Sequence, residues 1–233
     1  MSNGEDKMTD KELAGYIDHA ILRPETTKEQ IEQLCQEAEE YGFYSVFVNP
    51  RWVDFAADKV HDSKVKVGSV ISFPFGTDST RTKTNQAKEN IFAGADEVDM
   101  VADLGAIIDG DERYLENQLR AVLEVCRSMR PAVCLKVIIE AAALTKEQKI
   151  FACQIAEKVG VDFIKTSTGF HPAGGATVED VRLIKQTAPG CKVKASGGIK
   201  TLEQALSMLE AGAERLGMSS GVQIIEQLKS GQL

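Results

Sequence analysis

The chain reads as an α/β protein of the TIM (β/α)8 barrel class, and three observations carry that reading. Short apolar runs rich in β-branched residues alternate with longer segments of helical periodicity. The alternation repeats eight times, and eight βα units in 233 residues match the size of such a barrel. The chain also lacks the GxGxxG and GxxxxGK[ST] patterns that would favour an open doubly wound sheet. No break in composition marks a second domain, so residues 1–233 are expected to form one domain, with residues 1–8 a flexible N-terminus.

Along the chain, Thr9 to Glu12 forms a capping-box pattern that opens a short helix, and residues 16–20 follow as the first strand. Thr27 caps a helix whose apolar stripe is Ile31, Leu34, Cys35 and Ala38. Further strands are expected at 44–48, 65–71, 97–101, 133–139, 162–166, 192–196 and 215–218. Leu115, Leu119, Val122, Leu123 and Val125 repeat at helical spacing, and Thr145 and Thr201 stand where caps of later helices belong.

Composition narrows the function. The formal net charge is -8 and no basic run is present, which argues against a nucleic-acid partner. No apolar run approaches the roughly 20 residues that span a bilayer, and the opening MSNGEDKMTDKE lacks a signal-peptide pattern. A soluble, cytoplasmic protein without a membrane partner is expected. Five scattered cysteines, none in a CxxC pair, suggest reduced thiols rather than disulfides or a zinc site. His19, His61 and His171 lack metal-ligand spacing, and Trp52 at a strand-to-helix turn suggests packing, so no metal is expected.

Strands of a parallel barrel are covered on both faces and should be nearly all apolar. Several here carry charges. Side chains alternate along a strand, so Glu97 shares a face with Asp99, Lys136 with Glu140, and Lys192 with Lys194, while Lys165 ends its strand in VDFIKTSTGF. Asp99, Lys165 and Lys194 all fall in the C-terminal halves of their strands, the end at which barrel enzymes place their sites. A lysine attacks a carbonyl only as the free amine, so its pKa must drop from about 10.4 toward about 7, a difference of about 4 kcal/mol. A second ammonium about 4 Å away, at an effective dielectric near 20, supplies energy of that order. Lys194 is the candidate for that cation, and Asp99 for a proton-transfer group beside the imine. Glycine gives a second signal: ASGGIK at 195–200 and GMSSGV at 217–222 follow the seventh and eighth strands, where backbone N–H groups and helix N-termini can hold a phosphate. Gly169 could add a third backbone donor.

With these residues in view, the chain resembles the deoxyribose-phosphate aldolases, class I aldolases on a TIM barrel. The matching segments are IDHAILRPETT, VFVNPRWV, ISFPFG, GADEVDMV, LKVIIE, FIKTSTGF, KASGGIK and GMSSGV, spread over nearly the whole chain. The resemblance implies that Lys165 forms the Schiff base, Lys194 depresses its pKa and Asp99 relays protons. It implies that Asp18 and Lys136 hold the surrounding charge network, and that Gly169, Gly197, Gly198, Ser219 and Ser220 line the phosphate site. The implied reaction joins acetaldehyde to D-glyceraldehyde 3-phosphate, reversibly, to give 2-deoxy-D-ribose 5-phosphate. Small-molecule aldehyde and sugar-phosphate substrates, no metal or organic cofactor, and a homodimer follow from the same resemblance.

Departures from the family pattern cluster near the site. Ala20 and Ala141 stand where the family usually has Thr, Phe47 where it has Cys, Ala102 where a larger or amide residue is usual, and Met218 beside the phosphate loop where Thr is common. Lys200 replaces a common Arg, and His171-Pro172-Ala173 a small polar stretch. These exchanges predict an altered or engineered member whose pocket favours a less polar acceptor. Two alternatives stay open: another imine-forming enzyme on the same barrel, and a sugar-phosphate-binding barrel without catalysis.

Overall fold

Each expected strand forms within one residue of its expected bounds. The computed structural model describes residues 8–231. A short helix α1 (Asp10–Ala14) leads into β1 (Ile17–Ile21), α2 (Lys28–Tyr41), β2 (Ser45–Val48), α3 (Val53–Lys59), β3 (Lys66–Ile71), α4 (Thr80–Phe92) and β4 (Glu97–Val101). Two helices, α5 (Leu104–Asp109) and α6 (Glu112–Ser128), precede β5 (Cys134–Ile138). Then follow α7 (Lys146–Val159), β6 (Phe163–Lys165), α8 (Val178–Thr187), β7 (Lys192–Ser196), α9 (Leu202–Glu210), β8 (Arg215–Met218) and α10 (Gly221–Ser230). All pairings are parallel in chain order and β8 closes on β1 through Ile17 opposite Leu216, so no strand edge is left open. The flexible N-terminus expected at residues 1–8 lies outside the described residues except for Met8, which is partly buried against the core.

Local chemistry starts the helices where the sequence placed them. Thr9, Thr27, Thr145 and Thr201 each accept a bond from the backbone three residues on, and Glu12, Gln30, Gln148 and Gln204 reach back to the cap N–H. Such a box satisfies two orphan donors, and losing the capping oxygen typically costs about 0.5–2 kcal/mol. Gly42 and Gly160 end α2 and α7 in the left-handed conformation that side chains avoid. The stripes then face inward: Ile31, Leu34, Cys35 and Ala38 are buried on α2, and Leu115, Leu119, Val122 and Leu123 on α6. Among the described residues no helix is long and apolar enough to cross a membrane.

Strand alternation divides the side chains into two populations. Val46, Val67, Val98, Met100, Leu135, Val137, Ile164, Val193 and Leu216 join the apolar layer under the helices. Their neighbours Asp18, Ser45, Glu97, Asp99, Lys136, Lys165, Lys194 and Arg215 are also buried, linked by ion pairs and hydrogen bonds across the barrel interior. Two buried aromatic rings, Phe47 and Phe163, pack among them. Phe47 sits opposite Gly68 in the β2–β3 register, and a Cβ on Gly68 would stand 2.5 Å from Cε1 of that ring. The glycine is therefore the counterpart of the phenylalanine. Replacing Gly68 with Ala should destabilise the fold by about 1–3 kcal/mol through overpacking. In a Phe47→Ala background most of that cost should vanish in denaturant unfolding; a cost that persists there would show that something other than the ring demands glycine.

Candidate active site

Two lysines emerge side by side at the C-terminal end of the barrel because β6 and β7 pair in register, Lys165 opposite Lys194. Both are almost fully buried, and one carboxylate holds them together. Asp99 Oδ2 accepts from Lys165 Nζ at 2.9 Å and from Lys194 Nζ at 2.8 Å. Lys194 Nζ is also 2.5 Å from Asp18 Oδ2. Below them Lys136 lies 2.5 Å from Glu97 Oε2, 3.3 Å from Asp99 Oδ1 and 3.9 Å from Asp18 Oδ2. Arg215 closes the network from β8, at 2.9 Å from Asp18 Oδ1 and 3.7 Å from Glu97 Oε2. Gly217 leaves room for the Lys194 stem, since a Cβ there would come within 2.9 Å of Lys194 Cε.

The electrostatics follow from burial and from these partners. Burial pushes the Lys165 amine down to about 8; Asp99 opposes this, and the Lys194 charge adds to it. The sequence suggested that Lys194 would be the main cause. The structure reverses that order, because the Lys194 ammonium is already matched by Asp18 and Asp99 and burial does more of the lowering. Burial alone would raise both aspartates, but the surrounding cations more than offset it. Lys136, Lys165 and Lys194 hold Asp99 well below the usual carboxylate range, while Lys194, Lys136 and Arg215 bring Asp18 to about 2. Burial likewise pulls Lys136 down, but Asp99, Glu97 and Asp18 outweigh it and keep it above the ordinary lysine value.

A cavity of about 440 Å³ opens above the paired lysines, within the range of small-molecule sites. Lys165 and Lys194 reach it, and Gly169, Gly197, Gly198, Ser219 and Ser220 line one side. Gly169 and Gly197 have φ of 83° and 87°, and a Cβ on Gly197 would stand 3.1 Å from Gly169 Cα, so side chains are excluded from this turn. Helix α10 begins immediately after Ser220, whose hydroxyl donates to the Ile199 carbonyl at 2.7 Å. Ala20, Phe47 and Met218 form apolar wall, together with Phe170. Phe47 also lies beneath the charges, its centroid 3.6 Å from Lys194 Nζ and 4.5 Å from Lys136 Nζ, positions that favour a cation over a ring face.

Not every expected residue reaches the cavity. Asp18, Asp99 and Lys136 lie beneath it in the ion-pair network. Ala102 and Ala141 do not line it, which corrects their assignment to the altered pocket. The Ala102 N–H donates to the Ile138 carbonyl, and the Ala141 N–H to the Thr166 carbonyl, so both belong to the buried framework at the strand ends. Glu140 does not pair with Lys136. With φ of 52° it turns away after β5, and its carboxylate accepts from Thr168 N and Oγ1.

Other contributors escaped the sequence reading. Arg23 lines the cavity beside Lys200, and Arg215 enters the interior from the first position of β8. Lys83 is buried without a carboxylate in contact, donating to the Val101 carbonyl and to Gln118 Oε1 at 2.8 Å each; burial pushes it down to about 8. The signal for Arg215 was a charge inside a strand pattern, the same signal that found Lys165. His19 and His61 bond to Glu37 and to the Asp58 carbonyl, and all five cysteines are free thiols.

A buried primary amine with a lowered pKa, open to a cavity and touching a carboxylate, can attack a carbonyl and exchange protons with the adduct. Comparison with known proteins agrees with that chemistry. Residues 13–227 match the family described as DeoC/LacD family aldolase. The chain is 51% identical over 222 residues to a deoxyribose-phosphate aldolase of Thermococcus kodakarensis, covering 94% of this chain and 98% of that one. It is 49% identical to one of Thermococcus gammatolerans, covering 97% and 100%. A deoxyribose phosphate aldolase of Aeropyrum pernix, described as having a unique tetrameric structure, superposes with a TM-score of 0.88 at 30% identity over 95% of this chain and 93% of that one. The chain belongs to the DeoC/LacD family of aldolases.

Proposed function

We propose that the chain is a deoxyribose-phosphate aldolase in which Lys165 forms the imine. The observation that carries this reading is the Lys165 amine, buried, lowered to about 8, open to the cavity and 2.9 Å from Asp99. The amine attacks acetaldehyde, and the resulting carbinolamine loses water to give the protonated imine. Removal of a proton from the adjacent methyl carbon gives the enamine. The enamine carbon attacks the aldehyde of D-glyceraldehyde 3-phosphate, the new alkoxide takes a proton, and water releases 2-deoxy-D-ribose 5-phosphate and the free lysine. Asp99 is placed to exchange the protons, directly or through one water, because it already touches both lysines. Lys194 opposes a positive charge on its neighbour before imine formation, and Lys136 and Asp18 keep the surrounding charges matched.

The phosphate fits the other end of the cavity. Backbone N–H groups around Gly169, Gly197 and Gly198, the start of α10 after Ser219 and Ser220, and the charges of Lys200 and Arg23 all favour an anion there. A second feature bears on the acceptor. Ala20, Phe47, Met218 and Phe170 give the cavity an apolar wall, and on that ground we assign a pocket altered toward less polar, non-phosphorylated acceptors, which it takes alongside the phosphorylated one. A homodimer in the cytoplasm completes the reading; the free thiols fit a reducing compartment.

Four measurements test it. Borohydride reduction in the presence of acetaldehyde should add the two-carbon unit to Lys165 alone, and label found on another lysine would overturn the assignment. Lys165→Met should abolish that label and lower cleavage of deoxyribose 5-phosphate by ~10³-fold or more. Imine formation should rise about tenfold between pH 7 and pH 9, as the fraction of free amine passes through its midpoint near 8; a flat profile would show that the amine is not titrating there. Acceptor range is read from kcat/KM for propanal against D-glyceraldehyde 3-phosphate. A comparable or higher value for propanal supports the apolar reading, and a value lower by 10²-fold or so removes it.

A further inference from the structure

Glu97 and Arg215 occupy the opposite end of the barrel from the cavity and have no place in the steps above. Both are buried, and both border a separate cavity of about 430 Å³ at the N-terminal ends of the strands, whose lining includes Tyr44, Cys134 and Lys192. Each touches the network that ends at Lys165. Glu97 Oε2 is 2.5 Å from Lys136 Nζ, which also lies 3.3 Å from Asp99 Oδ1, the same carboxylate that holds Lys165. Arg215 donates to Asp18 Oδ1, and Asp18 Oδ2 holds Lys194. The ion-pair network thus contains the carboxylates of Asp18, Glu97 and Asp99 and the cations Lys136, Lys194 and Arg215, three of each sign before Lys165 is counted. Lys165 has no carboxylate of its own.

We infer that Glu97 and Arg215 are positioning residues that set the charge on Lys165 from the far end of the barrel by fixing the balance of buried charge around Asp99. The inference rests on the reading of Lys165 as the imine-forming amine. The charges that face that amine, directly or through the network, come from Asp18 on β1, Glu97 and Asp99 on β4, Lys136 on β5, Lys194 on β7 and Arg215 on β8, with Arg23 and Lys200 at the cavity wall and Glu140 bound to Thr168 beyond β5. Removing the Glu97 charge leaves the network one positive charge in excess, and protonation of Lys165 becomes harder. Removing the Arg215 charge leaves one negative charge in excess, and protonation becomes easier. A unit charge on the order of 8 Å away, at an effective dielectric near 20, gives a shift of roughly 1–2 pKa units.

The test is a brief pulse of acetic anhydride across pH 6 to 11 or so, with acetylation of Lys165 read by mass spectrometry; it reports the titration of the amine whether or not an imine forms. Failure of the parent chain to form an imine would therefore sink the proposed function, while the labelling midpoints separately report whether Glu97 and Arg215 set the charge on Lys165. Glu97→Gln should move the midpoint of Lys165 labelling down by roughly 1–2 units, Arg215→Gln should move it up by a similar amount, and Arg215→Lys should restore the parent value. Midpoints that stay within about 0.2 units of the parent, or that move in the same direction in the two charge-removing variants, overturn it. If Arg215→Gln does not fold, Glu97→Gln and Arg215→Lys decide: a downward shift in the first with none in the second supports the inference, and any other pattern rejects it.

Discussion

A single buried carboxylate, Asp99, shared between two lysines inside the barrel, is the constraint on which the rest of the structure depends. Its Oδ2 holds Lys165 and Lys194 within 3 Å while Oδ1 faces Lys136, so three cations converge on one anion. Buried charge is expensive unless paired and hydrogen-bonded. The barrel meets that demand with carboxylates and cations from β1, β4, β5, β7 and β8. The closed eight-stranded topology is what allows it. An open sheet could bring neighbouring strands together, but the Arg215–Asp18 contact joins residues 197 positions apart and exists only because β8 returns to β1.

The interior also explains why Phe47 and Gly68 form a pair. A charged network packed only with polar side chains would admit water, and water would restore ordinary pKa values. An aromatic ring in the same space excludes water while offering its electron-rich face to two ammonium groups. The register sets Phe47 between Ala20 of β1 and Gly68 of β3, and a Cβ on Gly68 would already overlap the ring. Packing and electrostatics thus act on the same atoms, and a change made for one alters the other.

Much of this was legible in the amino-acid order. Apolar runs set the eight strands, threonines set four helix starts, and Lys165, Lys194 and Asp99 stood out because charge in a covered strand needs a reason. What stayed hidden depended on geometry that spacing does not encode. Ala102 and Ala141 follow strand ends, where the local turn decides between cavity wall and buried framework; both joined the framework through backbone bonds. Glu140 keeps step with Lys136 in an extended chain, but its left-handed backbone breaks the alternation. The order of causes at Lys165 was hidden for another reason. A sequence shows which charges exist but not which are already matched, and Lys194 proved to be matched by two carboxylates.

Four lysines, Lys83, Lys136, Lys165 and Lys194, are buried among the described residues, and comparing them shows why one is suited to nucleophilic chemistry. Lys136 is flanked by three carboxylates and is held above the ordinary lysine value, so it remains an ammonium and cannot attack. Lys194 reaches the cavity, but two carboxylates take its donors. Lys83 is lowered to about 8 as Lys165 is, yet it lies away from the cavity with its amine committed to a backbone carbonyl and an amide. Burial alone therefore does not make a nucleophile, and neither does a low pKa. Lys165 combines a lowered pKa, a single carboxylate partner shared with Lys194, and an opening to the cavity. Those three conditions are met together because β6 ends at Lys165. One residue earlier its alternation would turn it toward the helices, and one later it would leave the reach of Asp99.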